Sequence, residues 1–378
     1  MVNAYNNIKK LNYRCKSVLD IIQRKGPVTK KTLIDLTKMK LSTLNREVEI
    51  LINNKLITET DIGESTGGRK PVLYDINHRS FYAVGIDISR TYVKVVITNL
   101  KIQIISEKTM YDFKNTSKVI EFITDSLEDM MRELEIDKSQ IIGIGIGIVK
   151  NFDIDPLLSN LAGKLDVPVF VDNGANAAVI GEYYFGKGKD MNNICYINCG
   201  VGVRTGIISS GTLIRTINNA EDAFGHMIVD LDGELCTCGN YGCIEAYVSI
   251  LNITAKFISE VKKDKKLTLY KELEQVNYRD ICEMADKNDE IAANIIKDAA
   301  IHFGIGLANF IRLLNPQLVI LSGPLIYNSK LFYDISREIA LKKIGMLNSD
   351  IIFSREGYYE NKSIAVGAAV LVLQELKK

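Results

Sequence analysis

The sequence predicts an α/β protein in two parts, a small helix-led module over residues 1–79 and a larger body of two lobes over residues 80–378. Three observations lead there. At 378 residues the chain exceeds the roughly 250–300 that one hydrophobic core usually organises. Charge is segregated, with fifteen Lys/Arg against eight Asp/Glu in residues 1–80 and 32 against 38 in the remainder. Hydrophobic spacing also changes, from helical stripes before residue 55 to short Ile- and Val-rich runs alternating with helices after residue 82. The hydrophobic (47%) and charged (25%) fractions are those of ordinary soluble domains, and no apolar stretch is read as reaching the roughly 18–20 residues that cross a bilayer. The polar opening runs into Lys9 and Lys10 without an apolar core like that of a secretion signal, so a cytoplasmic location and no membrane partner are expected.

In the first module, Val18, Leu19, Ile21 and Ile22 share one face of a helix over 14–24 that Gly26-Pro27 ends. Thr29 is placed to cap a second helix, with Leu33 and Leu36 turned inward. Ser42 is read as the cap of a third, in which Leu44, Val48, Leu51 and Ile52 form the buried stripe and Thr43, Asn45, Arg46 and Glu49 face outward. A short helix, a tight turn and a helix with polar residues in its first turn is the geometry that seats a recognition helix in a DNA major groove. Arg and Asn are also the side chains shaped to read guanine and adenine edges. Two strands, Leu56–Thr60 and Val72–Ile76, flank a glycine-rich tip with Gly67, Gly68, Arg69 and Lys70, as in a winged helix-turn-helix. The candidate DNA-binding set is therefore Lys40, Ser42, Thr43, Asn45, Arg46, Gly67, Gly68, Arg69 and Lys70, and the basic charge of this part suits a polyanionic partner.

In the body, three short strands at 83–88, 93–99 and 102–107 precede a helix over 117–134, the Ile/Gly run 141–149, a strand at 167–171 and a helix over 175–185. The pattern restarts at 194–198 and 203–208, followed by a helical region over 243–314, a strand at 318–321 and two closing helices. Two lobes that each open on a meander predict an actin-like ATPase architecture, with the first lobe at about 80–190 plus the C-terminal helix and the second at 191–360.

Three of seven cysteines lie within eight residues. Cys236, Cys238 and Cys243, with His226 ten residues upstream of the first, offer the three thiolates and one imidazole of a closed structural zinc site. A filled tetrahedral shell leaves no position for water, so this zinc would shape the fold and take no part in chemistry. Cys15, Cys195, Cys199 and Cys282 read as small core residues.

The run from Cys236 to Glu245, the Gly225-His226 before it, the wing from Gly67 to Pro71 and the closing Gly367-Ala368-Ala369 resemble the ROK family (repressors, open reading frames and sugar kinases), in its winged-helix repressor branch. The resemblance covers nearly the whole chain. It implies the same four metal ligands, an effector site with Asn173, His226 and Glu245, and a sugar or sugar phosphate as effector. It also shows departures from the kinases. The first phosphate turn has Ser89 in Asp87-Ile88-Ser89-Arg90-Thr91 where the family has Gly, and the second carries Val201 and Arg204 in an altered Gly200–Gly206 run. Gly174 stands where the family has its catalytic Asp, and Ala223 where it has a sugar-binding Glu. The expectation is a repressor that binds operator DNA as a homodimer or tetramer and is not an enzyme. An ATP-dependent sugar kinase with a DNA-binding arm, or a scaffold with a vestigial pocket, are the alternatives.

Overall fold

The computed structural model describes residues 4–60, 71–111, 113, 115–149, 152–215, 223–263, 273–345 and 350–377. They fall into two compact units, residues 1–177 with 364–378 and residues 178–363.

The first unit begins with α1 (Ala4–Lys9), α2 (Tyr13–Lys25), β1 (Val28–Thr29), α3 (Lys30–Thr37), α4 (Leu41–Asn53), β2 (Ile57–Thr60) and β3 (Leu73–Ile76). The strands pair antiparallel in the order β1-β3-β2. Asn12 caps α2 by accepting from the Arg14 and Cys15 amides, and Thr29 caps α3 by accepting from the Thr32 amide. Val18, Ile22, Leu33, Leu44, Val48 and Leu51 meet in the core of this head, as their spacing predicts. Two expectations need correction. The first α4 hydrogen bond runs from the Leu44 amide to the Lys40 carbonyl, so Lys40 holds the cap position and Ser42 lies inside the first turn. Leu36 is 44% exposed, because α3 is only eight residues long and buries Leu33 alone. The wing tip, with Gly67, Gly68, Arg69 and Lys70, lies outside the described residues.

The same unit continues with β4 (Tyr82–Ile88), β5 (Tyr92–Asn99), β6 (Ile104–Tyr111), α5 (Thr116–Glu133), β7 (Ile141–Ile148), α6 (Asp155–Leu165), β8 (Val169–Asn173) and the start of α7 (Gly174–Phe185). The sheet order is β6-β5-β4-β7-β8, antiparallel over the first three strands and parallel over the last three. Val119, Ile123, Leu127 and Met130 of α5 and Leu157 and Leu161 of α6 bury against the aliphatic residues of this sheet. The last helix, α14 (Ser363–Lys377), approaches β4 and β7 where Gly85 and Gly145 sit side by side. A Cβ on Gly85 would lie 1.9 Å from the Ala365 carbonyl oxygen, and one on Gly145 1.8 Å from that of Ala368. Glycine on the strands and alanine on the helix therefore allow backbone to pack on backbone. The head joins this lobe through Lys101, whose Nζ donates to Asp75 Oδ2 at 2.6 Å and to the Gly26 carbonyl at 3.1 Å, and through an ion pair between Lys377 and Asp20. An apolar seam between them is lined by Ile8, Leu19, Leu56, Leu100, Leu373 and Leu376.

The second unit holds β9 (Ile194–Cys199), β10 (Val203–Ser209), β11 (Thr212–Leu213), α8 (Ile244–Val248), α9 (Ile250–Lys263), α10 (Tyr278–Asp286), α11 (Glu290–Leu314), β12 (Leu318–Ser322), α12 (Pro324–Asn328), α13 (Lys330–Ile344) and β13 (Ile352–Arg355). Its order, β11-β10-β9-β12-β13, repeats that of the first sheet, with β9, β12 and β13 parallel. At 25 residues α11 is long and apolar enough to cross a bilayer, contrary to the reading of the sequence. Its Ile296, Phe303, Leu307 and Ile311 are fully buried in the core of this unit, where it packs on α13 and α8.

Candidate nucleic-acid interface and metal centre

The buried stripe Leu44, Val48 and Leu51 fixes the rotation of α4, which leaves Lys40, Ser42, Asn45 and Glu49 exposed, Thr43 half-buried and the Arg46 side chain 64% exposed. The described members of the candidate DNA-binding set are thus gathered at the N-terminal end and along the outer side of a single helix. Beneath Arg46 lies a residue that the sequence reading passed over. The Glu47 side chain is fully buried; its Oε1 accepts from Arg46 Nη2 at 2.8 Å and Nε at 3.3 Å, while its Oε2 accepts from the Cys15 thiol at 2.9 Å and Asn12 Nδ2 at 3.0 Å. Burial alone would push this carboxyl up, but the hydrogen bonds from Cys15, Arg46 and Asn12 outweigh it and hold it at about 2. Cys15 is fully buried, as expected, yet it is a donor as well as a filler, and burial with the adjoining carboxylate pushes its thiol up to about 12. The available signal was position: residue 47 follows Leu44 by three and precedes Leu51 by four, inside the apolar stripe.

The donor atoms of His226, Cys236, Cys238 and Cys243 all lie within 4.8 Å of one another, so the four could hold a metal ion. Cys236 Sγ is 3.6 Å from His226 Nδ1, and Cys238 Sγ is 3.7 Å from Cys243 Sγ. Local backbone makes this possible. The Val229 amide donates to the Gly242 carbonyl and the Gly242 amide to that of Glu234, folding the loop back on itself. Gly242 has φ +71°, and a Cβ there would fall 1.5 Å from the Asp230 carbonyl oxygen, so only glycine fits. Tyr247 of α8 ties the loop down: its hydroxyl donates to Asp230 Oδ2 at 3.0 Å and accepts from the Glu234 amide at 3.1 Å, and its ring stacks on His302 at 3.7 Å.

The remaining candidates belong to different units. Asn173 ends β8 in the first unit, where its Oδ1 accepts from the Asn176 amide at 2.8 Å and its Nδ2 is buried with no hydrogen-bond partner among the described residues. Asp172 is engaged by the Asn173 amide at 2.8 Å and Asn176 Nδ2 at 3.0 Å. Gly174 follows at the start of α7, and a Cβ there would meet two carbons of Ile364 at 3.3 Å. In the β4–β5 hairpin, Asp87 is buried and accepts from the Tyr92 hydroxyl at 2.8 Å; burial pushes its carboxyl up to about 7 against the opposing pull of Tyr92 and Lys94. Glu245 and His226 lie in the second unit. Glu245 Oε2 accepts from the Val203 amide at 2.9 Å and from Arg204 Nη1 at 3.3 Å, so its carboxylate is tied to the β9–β10 hairpin. That pairing joins residues 41 apart and had no local signature.

The comparisons with known proteins agree with this build. The ROK family profile matches residues 83–375. The xylose repressor of Bacillus subtilis (strain 168) is 31% identical over 343 residues, covering 85% of this chain and 86% of that one. A crystal structure of a ROK family transcriptional regulator, a homologue of the E. coli MLC protein, has a TM-score of 0.77 at 22% identity, with 96% of each chain covered. A ROK family glucokinase from Streptomyces griseus, solved with glucose and AMPPNP, has a TM-score of 0.66 at 25% identity and covers 78% of this chain and 99% of its own. The twin sheets, the loop that gathers three thiols and an imidazole, and a profile match spanning the whole body beyond the helical head together place the chain in the ROK family.

Proposed function

We propose that the chain is a transcriptional repressor of sugar genes, with a DNA-binding head at residues 1–79 and a sensing body at 80–378 that does not phosphorylate. The observation that carries this reading is the outer face of α4, which offers Asn45 and a largely exposed Arg46 above a fully packed apolar stripe. Lys40, Ser42, Thr43, Asn45 and Arg46 are the proposed helix contacts, with Gly67, Gly68, Arg69 and Lys70 reaching phosphate or minor groove. Two copies of the chain, as a homodimer or within a tetramer, would set two heads on a two-fold operator in the cytoplasm. Relatives of this chain include a xylose repressor and an N-acetylglucosamine repressor, which supports a sugar or sugar phosphate as effector.

Asn173, His226 and Glu245 are the proposed effector residues, and the Nδ2 of Asn173, buried without a partner among the described residues, supports that role, since a buried donor is costly until a ligand or water supplies an acceptor. Transmission is proposed to run along α14. Its Ile364 abuts Gly174, next to Asn173, and its Lys377 pairs with Asp20 in the head. An effector that displaces the start of α14 would act on the mounting of α2. Against phosphoryl transfer stand Gly174, which has no proton acceptor and room for a side chain only if Ile364 yields, and a second hairpin already occupied by Glu245 and Arg204.

The metal is proposed to be zinc, held by His226, Cys236, Cys238 and Cys243 in a structural role. Bonds of about 2.3 Å to sulfur and about 2.0–2.1 Å to nitrogen at tetrahedral angles imply edges of about 3.8 Å between sulfurs and about 3.6 Å between sulfur and nitrogen. The Cys238–Cys243 edge of 3.7 Å and the Cys236–His226 edge of 3.6 Å are close to these values. Bound there, the ion would fasten the loop from 226 to 243, and the loss of one bound zinc per chain in Cys243→Ser tests it.

For the function as a whole, the full chain is to be incubated with a pool of randomised duplexes. Enrichment of a two-fold-related sequence, with affinity falling on the order of a thousand-fold between about 50 and 200 mM salt, is expected. No enrichment, or ADP release from ATP stimulated by xylose, glucose or N-acetylglucosamine, would overturn the reading.

A further inference from the structure

We infer that Glu47 is a positioning residue for DNA recognition, a buried carboxylate that aims the Arg46 guanidinium from inside the head. The inference rests on the reading of α4 as the helix that contacts bases. A carboxylate adjacent to an arginine on an exposed helix face would only neutralise it and repel phosphate. Glu47 does something different because its side chain is fully buried while that of Arg46 is 64% exposed. Burial of an ion requires partners on all sides, and Glu47 has them: Cys15 and Asn12 hold Oε2 from the start of α2, and Arg46 closes the shell on Oε1.

The geometry of the Arg46 contact decides what remains for DNA. Nε and Nη2 form the side-on edge of the guanidinium, and both point to Glu47. The end-on edge, Nη1 with the second hydrogen of Nη2, is the fork that pairs with the O6 and N7 of guanine. Holding the side-on edge fixes the plane and direction of that fork before DNA arrives, so less rotamer freedom is lost on binding. Asn12 completes the arrangement. Its Oδ1 caps α2 and its Nδ2 reaches Glu47, so one side chain registers the recognition helix against the helix mounted on the body.

The test uses the full chain, the duplex enriched from a randomised pool and a scrambled duplex of equal length. Arg46→Ala should lower the ratio of the two affinities on the order of tenfold. Glu47→Gln should lower the ratio nearly as far without weakening the scrambled duplex, and in the Arg46→Ala background it should change the ratio less than about twofold. Arg46→Lys should not restore the ratio, because an ammonium has no side-on edge. Cys15→Ala keeps the carboxylate and removes one donor, and it carries the same prediction at smaller amplitude if Glu47→Gln does not fold. An unchanged ratio in Arg46→Ala would sink the reading of α4 itself. An Arg46 effect accompanied by a Glu47 or Cys15 effect that is equal on both duplexes, or that persists without Arg46, would sink the inference alone.

Discussion

The two five-stranded sheets share one strand order and differ in how their central strands are furnished. In the first unit the parallel pair β4–β7 sets Gly85 beside Gly145, and α14 rests on bare backbone. In the second unit the corresponding pair β9–β12 sets Tyr196 beside Ile320, both fully buried, while the opposite face of the same strands, through Cys195, Ile197, Val319 and Leu321, joins the core on α11 with Phe257, Phe303, Phe310 and Phe332. One sheet is closed by removing side chains and the other by adding them. The same topology therefore accepts two packing solutions with opposite vulnerabilities, since a wall of backbone cannot yield to a new atom whereas a wall of rings leaves a hole when one is lost.

The largest effect should come from Gly145→Ala. Its methyl would need to share space with the Ala368 carbonyl, so α14 must lift from the sheet, and a loss on the order of 4 kcal/mol or more is expected in denaturant unfolding. A variant with wild-type stability would break the comparison. Phe303→Ala tests the other wall. Phe303 is fully buried between Phe224 and Phe332, and its truncation should cost about 3–5 kcal/mol.

Asp87 sharpens the contrast through pH. Its carboxyl is raised from 3.8 to about 7, first by burial, so the folded chain keeps a proton that the unfolded chain releases. Stability contributed by this group is therefore lost as pH rises from about 4 to about 7 and is level above that. Asp87→Asn should remove that slope and raise the melting temperature at pH 8, and a slope unchanged by the substitution would exclude Asp87 as its source. The smallest effect is expected from Gly163→Ala within α6, where a Cβ meets nothing within 4 Å. A gain of about 0.5–1 kcal/mol should follow from reduced freedom of the unfolded chain.

Much of this was legible in the sequence because it is local. Stripes at helical spacing gave α2, α4 and α5, and the Ile/Gly run gave β7. The four metal-ligand candidates were legible because three of them fall within one tight loop. What escaped depends on residues far apart or on short elements. The six-residue α1 looks polar, with Asn6, Asn7 and Lys9, yet it buries Ala4, Tyr5 and Ile8. The edge strand β13 reads Ile-Phe-Ser-Arg, too short and too mixed for a period to register. The ties of Glu47 to Cys15 and of Glu245 to Arg204 cross 32 and 41 positions and come from tertiary packing alone. Lys377 and Asp20, 357 positions apart, are the extreme case.

That last distance also bears on how the chain is made. The sheet that carries Gly85 and Gly145 is complete once residue 173 has been synthesised, but its cover is α14, which follows all of residues 178–363. On the ribosome the naked glycine face must wait while the second unit is translated and folds as a self-contained insert. The terminal segment thus serves as the latch of the first unit, and nascent chains interrupted before it would present an open strand surface to chaperones and proteases.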